Sequence, residues 1–179
     1  MRTTVRHITT ALTISTLAMA TLSAQTAKPA PLDDPTIVAI FDAANTWDME
    51  TGHLAIKRGT TKEIREFGAM LERDHLGVRK MGRDLAAKLH VTPTPPKPFA
   101  MATDHASAMR TLRASKASAF DRAFLTHEVA YHKAVIDAVT TTLLPALHNA
   151  EVKALVTKVA PAFQAHMLAA QAMLDKLPK

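Results

Sequence analysis

From residue 35 onward, apolar side chains recur three and four positions apart, the spacing that lines one side of an α-helix. Ile37, Ile40, Phe41, Ala44, Trp47, Leu54 and Ala55 form a first stripe, and Ile64, Phe67, Leu71, Val78, Met81, Leu85 and Leu89 a second. A third runs through Phe120, Phe124, Val135, Ile136 and Val139, and a fourth through Leu155, Val159, Ala162, Phe163, Ala170 and Met173. β-type alternation is scarce. The pattern predicts four long amphipathic helices, and with them an all-α fold.

Punctuation residues set the expected boundaries. Asp34 before Pro35 reads as an N-cap, opening a helix that runs to about Arg58 and closes at Gly59. Thr60 or Thr61 caps a second helix to about His90. Val91 to Pro98 (VTPTPPKP) holds four prolines and is a stiff connector, since each proline removes a donor and clashes with the preceding turn. A short helix is expected from Thr103 to Ala114, then a third long helix from Ser118 to Leu144, ended by Pro145. Asn149 caps the fourth, which reaches about Leu174 with Pro161 inside it. Two tight hairpins joined by a long middle connection suit a four-helix bundle with one long crossover between helices two and three.

The first 24 residues follow a different logic. Arg2 and Arg6 precede an uncharged run from Ile8 to Leu22, and Leu22-Ser23-Ala24 has the small-residue spacing of a cleavage site. Together these predict a cleaved signal peptide at 1–24, then a tether at 25–34 and the helical domain at 35–175. The apolar run is shorter than the roughly 20 residues that span a bilayer, so no transmembrane anchor is expected in the mature chain. The expected location is periplasmic or secreted, with contacts to the outer membrane or to envelope proteins at most. With no cysteine, neither a disulfide nor a lipidated cysteine can form, and burial alone must hold the fold.

The chain of 179 residues carries a net charge of +6, and two of its 22 basic residues lie in the leader. The remaining Lys and Arg are interspersed with acids, and one Trp and one Tyr offer few rings for stacking on bases. Nucleic acid is excluded as a partner on these grounds.

The candidate chemistry comes from polar residues that interrupt the apolar stripes. Asp48 lies in the first, Asp74 and His75 in or beside the second, Glu128 and His132 in the third, and His166 in the fourth. Unpaired burial of such groups is costly, so they are expected to meet one another or water. Counting outward from each tight turn sets Asp48 level with Asp74, and Glu128 level with His166, to within one helical turn. The register of one hairpin against the other is not set by the sequence. Two Glu-x-x-His spellings, Glu50 to His53 and Glu72 to His75, resemble di-iron helices, but their glutamates project off the apolar stripes. His53, His90, His105 and His148 are expected on outer faces or near loops. Asp121 is expected to serve the positive end of its own helix.

At these residues the chain resembles the bacterial ferritin-like family catalogued as domain of unknown function 4142, whose members are often labelled outer membrane proteins. The matching stretches are Asp48 before Leu54-Ala55, MLERDH at 70–75, AFDRAF at 119–124 followed by His132, and APAFQAH at 160–166. Asp48 stands where the family usually shows Glu, and Phe124 where Tyr is common. The resemblance implies a ferritin-like fold and export, and brings no activity with it.

Two readings of the inward set follow. Imidazole and carboxylate suit iron, zinc or manganese, making Asp48, Asp74, His75, Glu128, His132 and His166 a metal or proton-relay site. The same groups also suit a buried polar network that fixes helix register. No complete catalytic motif is present. The leading functional expectation is therefore a non-enzymatic envelope protein acting in interaction or stress protection, with a metal-binding ferritin-like protein as its rival.

Overall fold

A computed structural model describes residues 32–178; the expected signal peptide and most of the tether lie outside them. The described residues form helices joined by turns and one longer connection, with no strand among them. The helices are α1 (Asp34–Arg58), α2 (Lys62–Lys88), α3 (Ala100–Ala114), α4 (Ala117–Ala138), α5 (Leu144–Ala146) and α6 (Ala150–Lys176), with a π-helical turn, Val139–Leu143, leading from α4 into α5. α1 packs along α2 and α4 along α6, while α2 also touches α6 and α1 touches α4, so these four helices enclose one interior.

Capping explains most of the boundaries. The N-cap of α1 is Asp33, whose carboxylate accepts from Thr36 N at 2.9 Å. The expected cap, Asp34, is shifted into the helix and does something else. Its two oxygens accept from His148 N and Asn149 N, each at 2.9 Å, tying the start of α1 to the turn before α6. Thr61 caps α2 and Asn149 caps α6, as their sequence positions predict. α2 ends with His90 in the left-handed region at φ 54°, with Val91 N donating to Ala86 O and His90 N to Ala87 O. That is the hydrogen-bond pattern usually built on glycine.

The π turn has a local cause. Pro145 has no N–H to give Thr141 O, and the Thr140 and Thr141 hydroxyls bond back to carbonyls of the preceding turn. The regular ladder is disturbed there, and the segment expected as one helix to Leu144 is broken into α4, the π turn and α5.

Along each long helix the buried residues fall into three zones. One apolar cluster joins Ile37, Phe41, Val78, Val139, Val156 and Phe163, and a second joins Ala55, Phe67, Leu71, Phe120, Phe124 and Ala170. Between them lies a polar layer: Asn45, Asp48 and Thr51 on α1, His75 on α2, Glu128 and His132 on α4, and His166 on α6. Two stripe positions are corrected: Met81 and Ala162 are exposed, because each sits at the edge of its apolar face. Val152 and Val156, outside the predicted stripe, are buried on α6.

Candidate metal centre

Helical periodicity lifts one polar group from each stripe into the same layer, and the packing of the two hairpins sets them at one height. One ring nitrogen from each of His75, His132 and His166 lies within 4.8 Å of the other two, and Asp48, Glu128 and His132 form a second such set. His132 belongs to both. Asp48 Oδ2 is 3.6 Å from His75 Nε2, and Asp48 Oδ1 is 3.9 Å from His132 Nε2. All five residues are buried.

The outer nitrogen of each imidazole is held by an acceptor. Asn45 donates its amide to Phe41 O at 2.8 Å, which turns its oxygen toward His75 Nδ1 at 2.9 Å. His75 Nδ1 therefore carries the proton, and its Nε2 lone pair faces the interior. His132 Nδ1 donates to the main-chain oxygen of Glu128 at 3.0 Å, leaving Nε2 inward and without a partner. His166 Nε2 donates to Asp74 Oδ2 at 3.2 Å, which leaves its Nδ1 bare. That bare Nδ1 sits 3.2 Å from the bare Nε2 of His75. Two neutral imidazoles thus face each other with lone pairs and no proton between them, an arrangement that a cation would complete.

Unpartnered atoms single out the same place. Among the described residues, the buried side-chain atoms with no hydrogen-bond partner are Asp48 Oδ1, both Glu128 carboxylate oxygens, His132 Nε2 and His105 Nδ1. All but the last border the polar layer. Buried atoms of this kind are rare in folded proteins and call for a ligand, an ion or water.

The electrostatics separate the histidines. Burial, reinforced by the neighbouring His132 and His166, drives His75 down to about 2, so it stays neutral. Burial also lowers His166 against the opposing pull of Asp74. Burial acts downward on His132 too, but Asp48 and Glu128 outweigh it and raise the group to about 9. Burial pushes Asp48 well above the carboxylate range, with Glu128 adding to the rise and His132 offsetting part of it. Tyr131, whose hydroxyl donates to Ala44 O at 3.1 Å, is raised by burial and by the same two carboxylates.

A stability prediction follows for the metal-free protein. Between about 6.5 and about 2 the unfolded chain protonates His75 while the folded chain does not. That share of stability therefore falls as pH drops below 6.5, by up to about 1.4 kcal/mol per pH unit. Asp48 and His132 are raised and have the opposite sign, each favouring the fold at lower pH. The clean readout is a difference: the stability of His75→Phe minus that of wild type rises steadily as urea midpoints are taken from pH 6.5 toward 4.5. A flat difference contradicts a neutral buried His75.

The six sequence-predicted residues do not all play one part. Asp48, His75, Glu128, His132 and His166 converge. Asp74 is half-buried, is also paired with Arg73, and reaches the cluster only through His166. The Glu-x-x-His spellings are not ligand pairs: His53 is exposed and meets Glu72 at 3.4 Å. Two expectations are corrected. His105 is buried, stacks on Trp47 and bonds Glu50 at 2.8 Å, because α3 lies across α1 at that point. Asp121 accepts from Thr60 N at 3.0 Å and from the Thr60 hydroxyl, bracing the α1–α2 turn and not its own helix end. Asn45 and Tyr131 were not singled out by pattern, although Asn45 falls four residues after Phe41 on the first stripe.

Fold and site together define an all-helical protein with a buried histidine–carboxylate cluster. The chain belongs to the family described as a domain of unknown function (DUF4142), whose model matches residues 18–173. No curated protein and no solved structure matches it. Among the described residues, no helix is long and apolar enough to cross a membrane.

Proposed function

We propose that this protein is an exported, ferritin-like four-helix bundle that holds a divalent transition-metal ion, iron, zinc or manganese, in its polar layer. His75 Nε2, His132 Nε2 and His166 Nδ1 are the nitrogen ligands, Asp48 supplies an oxygen, and Glu128 balances charge beside it. The single observation that carries the reading is that one nitrogen of each of the three imidazoles turns into the same interior, each ring being anchored from outside by Asn45, Glu128 O or Asp74. Such outer partners fix tautomer and orientation in metal sites generally. Two carboxylates facing one ion of charge +2 remove the excess negative charge that the empty cluster must otherwise bury.

The bundle assignment is supported by the α1/α2 and α4/α6 hairpins and the long α2–α4 connection. Export rests on Arg2, Arg6 and the apolar run to Leu22. A role in envelope stress protection is compatible with sequestering a reactive metal.

The test is elemental analysis of the full chain purified without chelators, with thermal unfolding on readdition of each metal. About one ion per chain is expected, with a stabilisation of about 2.7 kcal/mol at a hundredfold excess over Kd. Uptake at pH 7 also releases protons, because His132 must give up its own before Nε2 ligates. Titration calorimetry in buffers of different ionisation enthalpy reads that release. Sub-stoichiometric metal with no thermal shift for iron, zinc or manganese overturns the proposal.

A further inference from the structure

Asp48, His75, Glu128, His132 and His166 are each no more than 4% exposed. An ion bound from water therefore has to pass a wall of the bundle, and the walls differ. Above and below the layer lie the two apolar clusters. Beside it, a cavity of about 210 Å³ is walled chiefly by Ile40, Phe41, Val135, Val139, Leu143 and Phe163. Such surfaces offer a cation nothing in exchange for its water. Between α1 and α4 the Tyr131 hydroxyl is bonded to Ala44 O at 3.1 Å, and α3 packs on both helices outside it.

Between α2 and α6 the wall is polar. Asp74 stands there with its side chain 33% exposed, and its Oδ2 accepts from His166 Nε2 at 3.2 Å. The other two outer anchors, Asn45 and the main-chain oxygen of Glu128, belong to residues that are buried. Asp74 alone of the three joins the layer to solvent. Its second oxygen is occupied: Oδ1 lies 2.8 Å from Arg73 Nε and 2.7 Å from Arg73 Nη2. Arg73 itself is largely in solvent and bonds no ligand of the layer.

We infer that Asp74 is the port through which a divalent cation enters the polar layer, and that Arg73 is the brake on that port. The inference rests on the metal reading and adds to it a route and a control on loading. A cation arriving at the α2–α6 edge exchanges water for the Asp74 carboxylate, the Arg73 pair opens, and the ion passes His166 to the inward nitrogens. The same pair must open for the ion to leave. Arg73 therefore governs both rates and leaves the affinity alone, since the pair closes again once the ion has passed.

The probe is zinc, its uptake by the chelator-treated full chain followed by stopped flow with a zinc indicator. Release is followed as transfer from the loaded chain to excess EDTA. Arg73→Gln is expected to speed uptake and release together, about two- to fivefold, the range an exposed ion pair is worth, with Kd unchanged. Asp74→Asn removes the charge that receives the ion, and is expected to slow uptake by at least about tenfold without accelerating release. An Asp74 that only fixes the His166 tautomer gives other signs: Asp74→Asn leaves uptake alone and speeds release, and Arg73→Gln changes neither rate. Either result overturns the inference. Equilibrium dialysis of wild type against zinc separates it from the reading beneath it. No binding there defeats the metal centre and the port together, whereas normal binding with wild-type rates in both variants defeats the port alone.

Discussion

Glu128→Leu is expected to weaken metal binding strongly and, in the metal-free state, to make the protein more stable than wild type. Glu128 is completely buried, and neither of its oxygens has a hydrogen-bond partner. Its close charged neighbours are Asp48, the second carboxylate of the same set, and His132 Nδ1 at 3.4 Å, a nitrogen that already donates to the Glu128 main-chain oxygen. The main-chain bond survives the substitution. Asp48 still faces the His132 ring, so the imidazolium keeps a counter-charge. What disappears is a carboxylate whose desolvation is poorly repaid, and an apolar side chain of similar shape takes its place. The expected gain is about 1–3 kcal/mol in urea unfolding. Metal affinity is expected to fall by at least about 100-fold, since even outer-sphere changes cost up to that much.

Opposite signs for stability and metal uptake separate the two readings of this layer. A network that exists to fix helix register is stabilised by its members, and deleting one destabilises the fold. A layer held ready for a cation stores unfavourable charge until the cation arrives. A loss of stability in metal-free Glu128→Leu, with wild-type metal content, favours the register network and sinks the metal centre.

Much of this layer was readable before any coordinates. Asp48, His75, His132 and His166 each occupy a position on an apolar stripe where leucine packs better, and a group placed there must be satisfied by something equally buried. Counting from a tight turn also sets heights within a hairpin, because α1 and α2 are joined by a few residues. No such ruler crosses the long α2–α4 connection, so the joining of two half-sites into one was invisible. Asp74, expected in or beside its apolar face, is half-buried and bonds His166 from the edge of the layer, a distinction that wheel angles cannot draw because they do not say whether a neighbour leaves a position open to solvent. His105 and Asp121 are bound by segments distant in sequence, α1 and the α1–α2 turn, and nothing local announces either contact. The π turn needed the combined effect of Pro145 and the threonine hydroxyls, which periodicity alone does not weigh.

The second large effect is expected from a methyl group placed on residues that are not themselves ligands. Gly52→Ala, and separately Gly68→Ala, should destabilise the fold by about 3 kcal/mol and weaken metal binding as well. The two glycines face each other where α1 and α2 come closest. A Cβ on Gly52 meets Gly68 O at 2.6 Å, and a Cβ on Gly68 meets Gly52 O at 2.6 Å and Ala55 Cβ at 2.8 Å. Two of these contacts are with main-chain oxygens, which cannot rotate aside as a side chain can. The helices must separate or slide. Gly52 lies one turn beyond Asp48 and Gly68 two turns before His75, so displacement at the crossing carries directly to the 3.6 Å approach between those ligands. Urea midpoints and metal titrations of both variants test this. Serine in place of alanine should behave the same way, since the clash is with Cβ itself. A variant that keeps wild-type metal affinity despite losing stability shows that the ligand layer is set by α4 and α6 and not by the α1–α2 crossing.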